Sequence, residues 1–413
     1  MKLHQPLKGA AEALFEASGQ CPVIDTHEHV PRTEADYNKA EIRFGNLFNP
    51  YVSNDLASAG MPFPREVWAA FHCIDDDWES FEPYWNAVKH GSYARPLRLA
   101  LQKFYGVDDF TRENYLELVR RINEANTPGI YDRIFRQTCN IEKAIRCAGD
   151  LPEKDDPILA GNISSPSLMA NSRRGIEEMA RQTGAGQIKS LDELVEVGSW
   201  WMDLQVSRGA MEFKSRGMVV ENPGRNSAQE VLKAMQDGQP VSEDDAVPLM
   251  AYLREFDADH AARLNVPMAF HTGVWNDFRS SRASDLIGLL QRHPDTRMDI
   301  YHLSIPHVRE ALMVVKNFPH AWLNLCWAHV VAPEMLVQTM KEALDLVPMN
   351  KIFAFGADYV LFIEKVYGHL LMARENIARV LGDRVDNNLM DLDEATAIQR
   401  AWFYDNPKAF YGI

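Results

Sequence analysis

Cysteine is scarce in this chain. Five occur among 413 residues, at Cys21, Cys73, Cys139, Cys147 and Cys326. An odd, scattered set without a Cys-x-x-Cys pair gives no disulfide framework. It favours a reducing, cytoplasmic setting. Long apolar runs are lacking too. No stretch of about 18 apolar residues occurs, so no membrane span is expected. The opening residues MKLHQPLKGAAEALFEASGQ mix charge and polarity throughout and have no apolar core of the secretion-signal kind. Basic blocks are absent as well. The balance of 43 basic against 58 acidic residues leaves a net charge of -15. That balance argues against a nucleic-acid partner, which needs a basic footprint. No internal repeat or low-complexity tract is found.

What the chain does have is bulk and a rhythm. At 46% hydrophobic residues, a chain of this length buries a large core without help from a structural metal. A metal here would therefore serve chemistry. Residues 7–18 read as a short amphipathic helix. Cys-Pro-Val-Ile-Asp-Thr-His, residues 21–27, then reads as a buried strand with polar residues at its C-terminal end. Residues 31–130 are rich in aromatics, broken by prolines and show no strand alternation. They are expected to form a largely helical insertion after strand one, with helices at 64–73, 94–104 and 111–125, covering the mouth of the fold.

From about residue 133 short apolar runs alternate with amphipathic stretches. Strands are expected at Val23–Asp25, Ile134–Thr138, Ile158–Asn162, Gly209–Phe213, Met268–His271, Met298–His302, Ala321–Leu325 and Ile352–Phe355. Helices are expected near 172–183, 188–207, 227–236, 243–264, 283–292, 306–317, 333–345 and 361–381. Eight strands alternating with helices is the count of an α/β (β/α)8 TIM barrel in a single domain spanning 1–413. A doubly wound sheet has the same rhythm, but its Gly-x-Gly-x-x-Gly turn after strand one is missing.

Chemistry gathers at the strand ends. In Asp25-Thr26-His27-Glu28-His29 the two histidines are two residues apart, so on an extended segment they face the same way. Their imidazoles suit one Zn²⁺ or a similar ion. The plainer reading is two surface histidines with Glu28 solvated between them. His271, His302 and Asp358 each end a later apolar run. One such histidine is most often an ordinary core residue. In a barrel, however, all strand ends open on one face, where separated segments build a single site.

A His-x-His on strand one, His on strands five and six and Asp on strand eight resemble the amidohydrolase superfamily. The tail from Ile398 to Gly412, and Gly356-Ala357-Asp358 followed by Glu364, Tyr367-Gly368 and Arg374-Glu375, resemble its amidohydrolase-related branch. The likeness spans roughly 20–30 and 205–413. The insertion resembles that of uronate isomerases. The resemblance implies one divalent metal on His27, His29, His271 and Asp358. Zinc is the expected ion, and Mn²⁺, Fe²⁺ or Co²⁺ also suit the ligands. It further implies Asp358 as general base, with His302 moving a proton or polarising the substrate.

Strand four leaves alternatives open. Lys214 and Glu212 share one face. Lys214 could be carbamylated and bridge a second metal, could bind an anionic group as a plain cation, or could merely snorkel from the strand end. Arg216 offers a fork for a carboxylate. Trp275 and Arg279, on the loop after strand five, are further candidates for substrate contact.

The resemblance thus implies a metal-dependent hydrolase acting on a small, polar, anionic metabolite at an amide, ester or lactone bond. The alternatives are a uronate-isomerase-like sugar-acid isomerase and a non-oxidative decarboxylase. Against the isomerase, Asp358 is followed by Tyr359-Val360 and not by the Ser-Arg of that family. A non-catalytic barrel would be expected to have lost one or more of these residues, and none is lost. A homo-oligomer would be usual for a barrel of this size.

Overall fold

The computed structural model describes residues 6–62, 77–216, 224–274 and 278–413. The helix expected at 64–73 and the candidate Trp275 lie outside these residues. Eight strands form one sheet: β1 (Val23–Glu28), β2 (Ile141–Ala148), β3 (Leu159–Ser164), β4 (Ala210–Arg216), β5 (Met268–His271), β6 (Met298–Tyr301), β7 (Ala321–Asn324) and β8 (Ile352–Phe353). Their order in the sheet is their order in the chain. Neighbouring parallel strands cannot be joined by hairpins, so helices fill the connections. This is the (β/α)8 arrangement expected from the rhythm.

Seven strands overlap the expected apolar runs. The second does not. Ile134–Thr138 belongs to a π-helical turn, Asp132–Thr138, and the strand begins at Ile141. Ile130, Tyr131, Ile134 and Phe135 are all buried at helical spacing, which mimicked a short apolar run. The true strand is disguised by Glu142, Lys143 and Arg146. Arg146 is buried and answered by Asp150, whose Oδ1 lies 2.8 Å from its Nη2.

The chain falls into two compact units. The first comprises Met1–Ala144, Cys326–Lys341 and Ala354–Asp405, the second Ile145–Leu325, Glu342–Phe353 and Asn406–Ile413. In the first, the segment after β1 is helical, with helices at Glu34–Lys39, Val52–Ser58, Trp78–Val88, Ala94–Tyr105 and Tyr115–Ala125. Its aromatics form its own core. The ring of Phe44 meets Phe81 at 4.9 Å and Phe110 at 5.3 Å, and Phe81 stacks on Trp85 at 5.9 Å. Each such pair adds roughly 0.5–1.5 kcal/mol beyond area burial.

This segment is tied to the long helix Lys365–Asp386. Gly368 permits close approach, since a Cβ there would stand 2.2 Å from the Pro96 carbonyl oxygen. Arg95 Nη2 donates to buried Glu375 at 2.6 Å, and Tyr105 donates to Glu364 at 2.8 Å. Residues that carried the family resemblance thus hold the helical segment in place.

In the second unit β3 to β8 pair in parallel, with Asn162 opposite Glu212, Arg216 opposite His271 and His271 opposite Tyr301. Among the described residues no helix is long and apolar enough to cross a membrane.

Candidate metal centre

In the first unit, β1 carries His27 and is buried throughout, and His29 follows directly after its last residue, Glu28. Alternation along the strand aims His27 and His29 to one side and leaves Glu28 on the other. Asp358 follows β8 in the left-handed region, at φ 64°. Its N–H donates to the His27 carbonyl at 2.8 Å, which fixes it beside the strand. The result is a convergence. His27 Nε2 lies 3.5 Å and His29 Nε2 3.4 Å from the same oxygen, Asp358 Oδ1. These distances are long for hydrogen bonds. They match ligands around a tetrahedral ion, where bonds of about 2.0–2.1 Å put neighbouring donors about 3.3 Å apart. The nitrogen and carboxylate donors fit a divalent metal in spacing and kind.

The backing of these side chains was not legible in the sequence. Glu28 is fully buried, not solvated, and its Oε2 accepts the Tyr359 N–H at 2.9 Å. Asp25 Oδ1 accepts the N–H of His27 at 3.2 Å and of Ala357 at 3.1 Å. Burial pushes Asp25 up to about 7 and Glu28 well above the usual range, and a hydrogen bond joins the two side chains. Strand one is thereby latched to the segment that presents Asp358.

In the second unit, His271 ends β5 and His302 follows β6. Their rings lie 4.4 Å apart at 63°. His302, Leu303 and Ser304 all have positive φ, so the chain turns sharply after β6. Gly273 seats this turn: at φ 69°, a Cβ would fall 2.2 Å from the Ile305 carbonyl oxygen. Lys214 is buried, with Nζ 4.4 Å from the centre of the Tyr301 ring. The Tyr301 hydroxyl donates to Glu212 at 2.5 Å, and Asn162 Nδ2 donates to the same oxygen at 2.5 Å. Asp299 accepts from Asn324 at 2.9 Å and from Tyr411 at 2.7 Å. Burial raises Glu212 well above its ordinary value and Asp299 to about 7, and Lys214 opposes both shifts.

The remaining candidates are placed as follows. Arg216 has Nη1 3.3 Å from Glu243 at the start of a long helix. Arg279 lies in an exposed turn, Phe278–Ser280. Tyr301, Glu212 and Asn162 form a support that only the register reveals. Glu212 was visible as a neighbour of Lys214, but its partners lie on other strands.

Residues 232–413 match the family model described as Amidohydrolase, a stretch containing His271, His302 and Asp358. That stretch, less than half of the chain, is similar to the amidohydrolase family model. Among curated proteins, Protein fluG of Emericella nidulans is 20% identical over 408 residues, covering 95% of this chain. The chain spans about half that relative's length, 46%. Among solved structures, glucuronate isomerase from Caulobacter crescentus aligns over 100% of this chain and 96% of its own, at 17% identity and a TM-score of 0.79. Uronate isomerase from Thermotoga maritima aligns over 99% and 100%, at 14% and 0.76. A Lactobacillus casei protein, whose metal-dependent hydrolase activity is inferred, aligns over 98% of each chain at 16% and 0.69. At these identities the likeness speaks for the fold of the chain, not for its reaction.

Proposed function

We propose that this amidohydrolase-like protein is a metal-dependent hydrolase of small anionic metabolites, cleaving an amide, ester or lactone bond. The observation that carries the reading is the convergence of His27 Nε2 and His29 Nε2 on Asp358 Oδ1 at 3.5 and 3.4 Å. His27, His29, His271 and Asp358 are proposed as ligands of one divalent ion, with zinc as the first choice. A bound metal would supply Lewis acidity and a water of lowered pKa, about 7 in the best-studied zinc enzymes. Asp358 turns Oδ1 toward the histidines, and its Oδ2 takes a proton from the attacking water. His302 delivers a proton to the leaving group or polarises the scissile carbonyl. Lys214, with Tyr301 under its ammonium and Glu212 and Asp299 buried nearby, is supported as a cation that binds the substrate's anionic group, not as a carbamate bridge. Arg216 and Arg279 are proposed to help orient that group.

Likeness to glucuronate and uronate isomerases over nearly the whole chain favours a second reading, a sugar-acid isomerase. The two separate by experiment. Elemental analysis of protein purified without chelator should find about one divalent metal per chain in wild type and in Lys214→Ala. Turnover of lactones, esters or N-acyl acids, with uronates unchanged, supports the hydrolase. Aldose–ketose interconversion of uronates supports the isomerase. Two metals falling on Lys214→Ala would mean a carbamate bridge, and a metal-free wild type that also refuses added zinc would end both readings.

A further inference from the structure

Asp358 is held in a backbone conformation that side chains other than glycine rarely adopt, and it is held at both ends. Its N–H is spent on the His27 carbonyl at 2.8 Å. Its own carbonyl accepts the hydroxyl of Tyr51 at 2.5 Å, across 307 residues of sequence. Tyr51 comes from the helical segment after β1, one residue ahead of the helix Val52–Ser58, and is 3% exposed. Its ring stacks on Trp327 at 4.7 Å and 29°, and on Tyr93 at 5.4 Å and 25°. Trp327 is itself left-handed, at φ 61°, and its N–H donates to the Gly356 carbonyl at 2.8 Å. One side chain from the insertion therefore braces two strained residues, on the loops after β7 and β8.

We propose that Tyr51 is a positioning residue of the metal centre: its hydroxyl fixes the left-handed backbone of Asp358, so that Oδ1 stays aimed between His27 Nε2 and His29 Nε2. The proposal rests on the metal-dependent reading above. It gives the insertion a part in the site that no motif indicated. A peptide at positive φ has a nearby, less strained alternative, so the site residue most prone to turn away is the one with its carbonyl pinned. Partners that orient ligands without touching the metal typically change metal affinity by about 10- to 100-fold.

The test is a Co²⁺ titration of the full metal-free chain, followed by visible absorption, which reports affinity and ligand geometry without any substrate. Tyr51→Phe keeps the stack on Trp327 and Tyr93 and removes one oxygen. It should unfold, metal-free, within about 2 °C of wild type, yet bind Co²⁺ at least about tenfold more weakly with altered bands. Tyr93→Phe removes a hydroxyl from the same stack that makes no hydrogen bond among the described residues, and should bind Co²⁺ like wild type. Equal affinity and identical bands in Tyr51→Phe overturn the proposal. An equal loss in both variants also overturns it, because the stack and not the hydroxyl would then matter. If Tyr51→Phe does not fold, 3-fluorotyrosine placed at position 51 alone keeps the ring and alters the donor: shifted Co²⁺ bands support the proposal and unshifted bands overturn it. Wild type that takes up no Co²⁺ defeats the metal reading itself and this inference with it, a result distinct from the variant-specific outcomes.

Discussion

At the scale of single residues, the candidate ligands were readable and the side chains that back them were not. His27, His29, His271, His302 and Asp358 announce themselves because each ends an apolar run with a polar group. Tyr51, Glu28 and Tyr301 carry no such mark. Tyr51 is one aromatic among many, and only the fold brings it 2.5 Å from the Asp358 carbonyl. Glu28 reads as a solvated residue of an alternating strand until β1 proves buried on both faces. His302 can be tested directly. It is fully buried beside His271, and His302→Ala should keep the fold and about the wild-type metal content while turnover drops by roughly 10²–10⁴, the usual worth of a proton-transfer group. Single-turnover rates alongside elemental analysis would check this; wild-type turnover in the variant would remove His302 from the chemistry.

At the scale of elements, strands and long helices were legible because their apolar periods are strong. The helices Arg173–Thr183, Leu191–Ser207 and Glu243–Leu264 follow the expected spans closely. The β2 error came from a short segment, where four buried residues at helical spacing and a strand with three charges exchanged appearances. One inter-element link yields a pH prediction. His293, just after the helix Ile287–Arg292, lies 2.8 Å from Glu255 and 2.8 Å from Asp259 on the helix Glu243–Leu264. Burial alone would lower its imidazole, but the two carboxylates outweigh this and hold it above 6.5. Burial would likewise raise Glu255, but Arg292 and His293 bring it down to about 2. A raised histidine stabilises fully below its unfolded value and loses that contribution as pH climbs through its folded one. A depressed glutamate stabilises above its unfolded value and loses that as pH falls through its folded one. The link should therefore be strongest between pH 4.5 and 6.5, the two ordinary values. Thermal unfolding of His293→Gln across pH should show its largest deficit in that window, shrinking as pH rises further. A deficit independent of pH would mean that packing, not charge, is what the histidine provides.

At the scale of the whole molecule, the fold class followed from counting strands, and the family resemblance from the ends of four of them. The reaction did not follow, because substrate choice depends on loops and on the helical segment 31–130, whose periods say helix and nothing of what it covers. A bound metal does have a molecular consequence that needs no substrate. An ion that binds only the folded state stabilises it by about 2.7 kcal/mol at a hundredfold excess over its dissociation constant. Chelation should lower the unfolding temperature of wild type by a few degrees and leave that of His27→Ala, already short of a ligand, nearly unmoved. Equal shifts in the two would place the responsible ion elsewhere.

The latch between Asp25 and the Ala357 N–H joins residues 332 apart in sequence. A ribosome delivers β1 long before it delivers the strand-eight carboxylate, so the paired histidines wait through most of synthesis with only each other. Closing so long a loop is slow compared with forming local helices. The proposed site can therefore be completed only late in the life of each chain. During that interval the histidine pair would offer a cation only part of the proposed site, and the ion finally seated would reflect the supply at the moment of closure as well as the preference of the finished site.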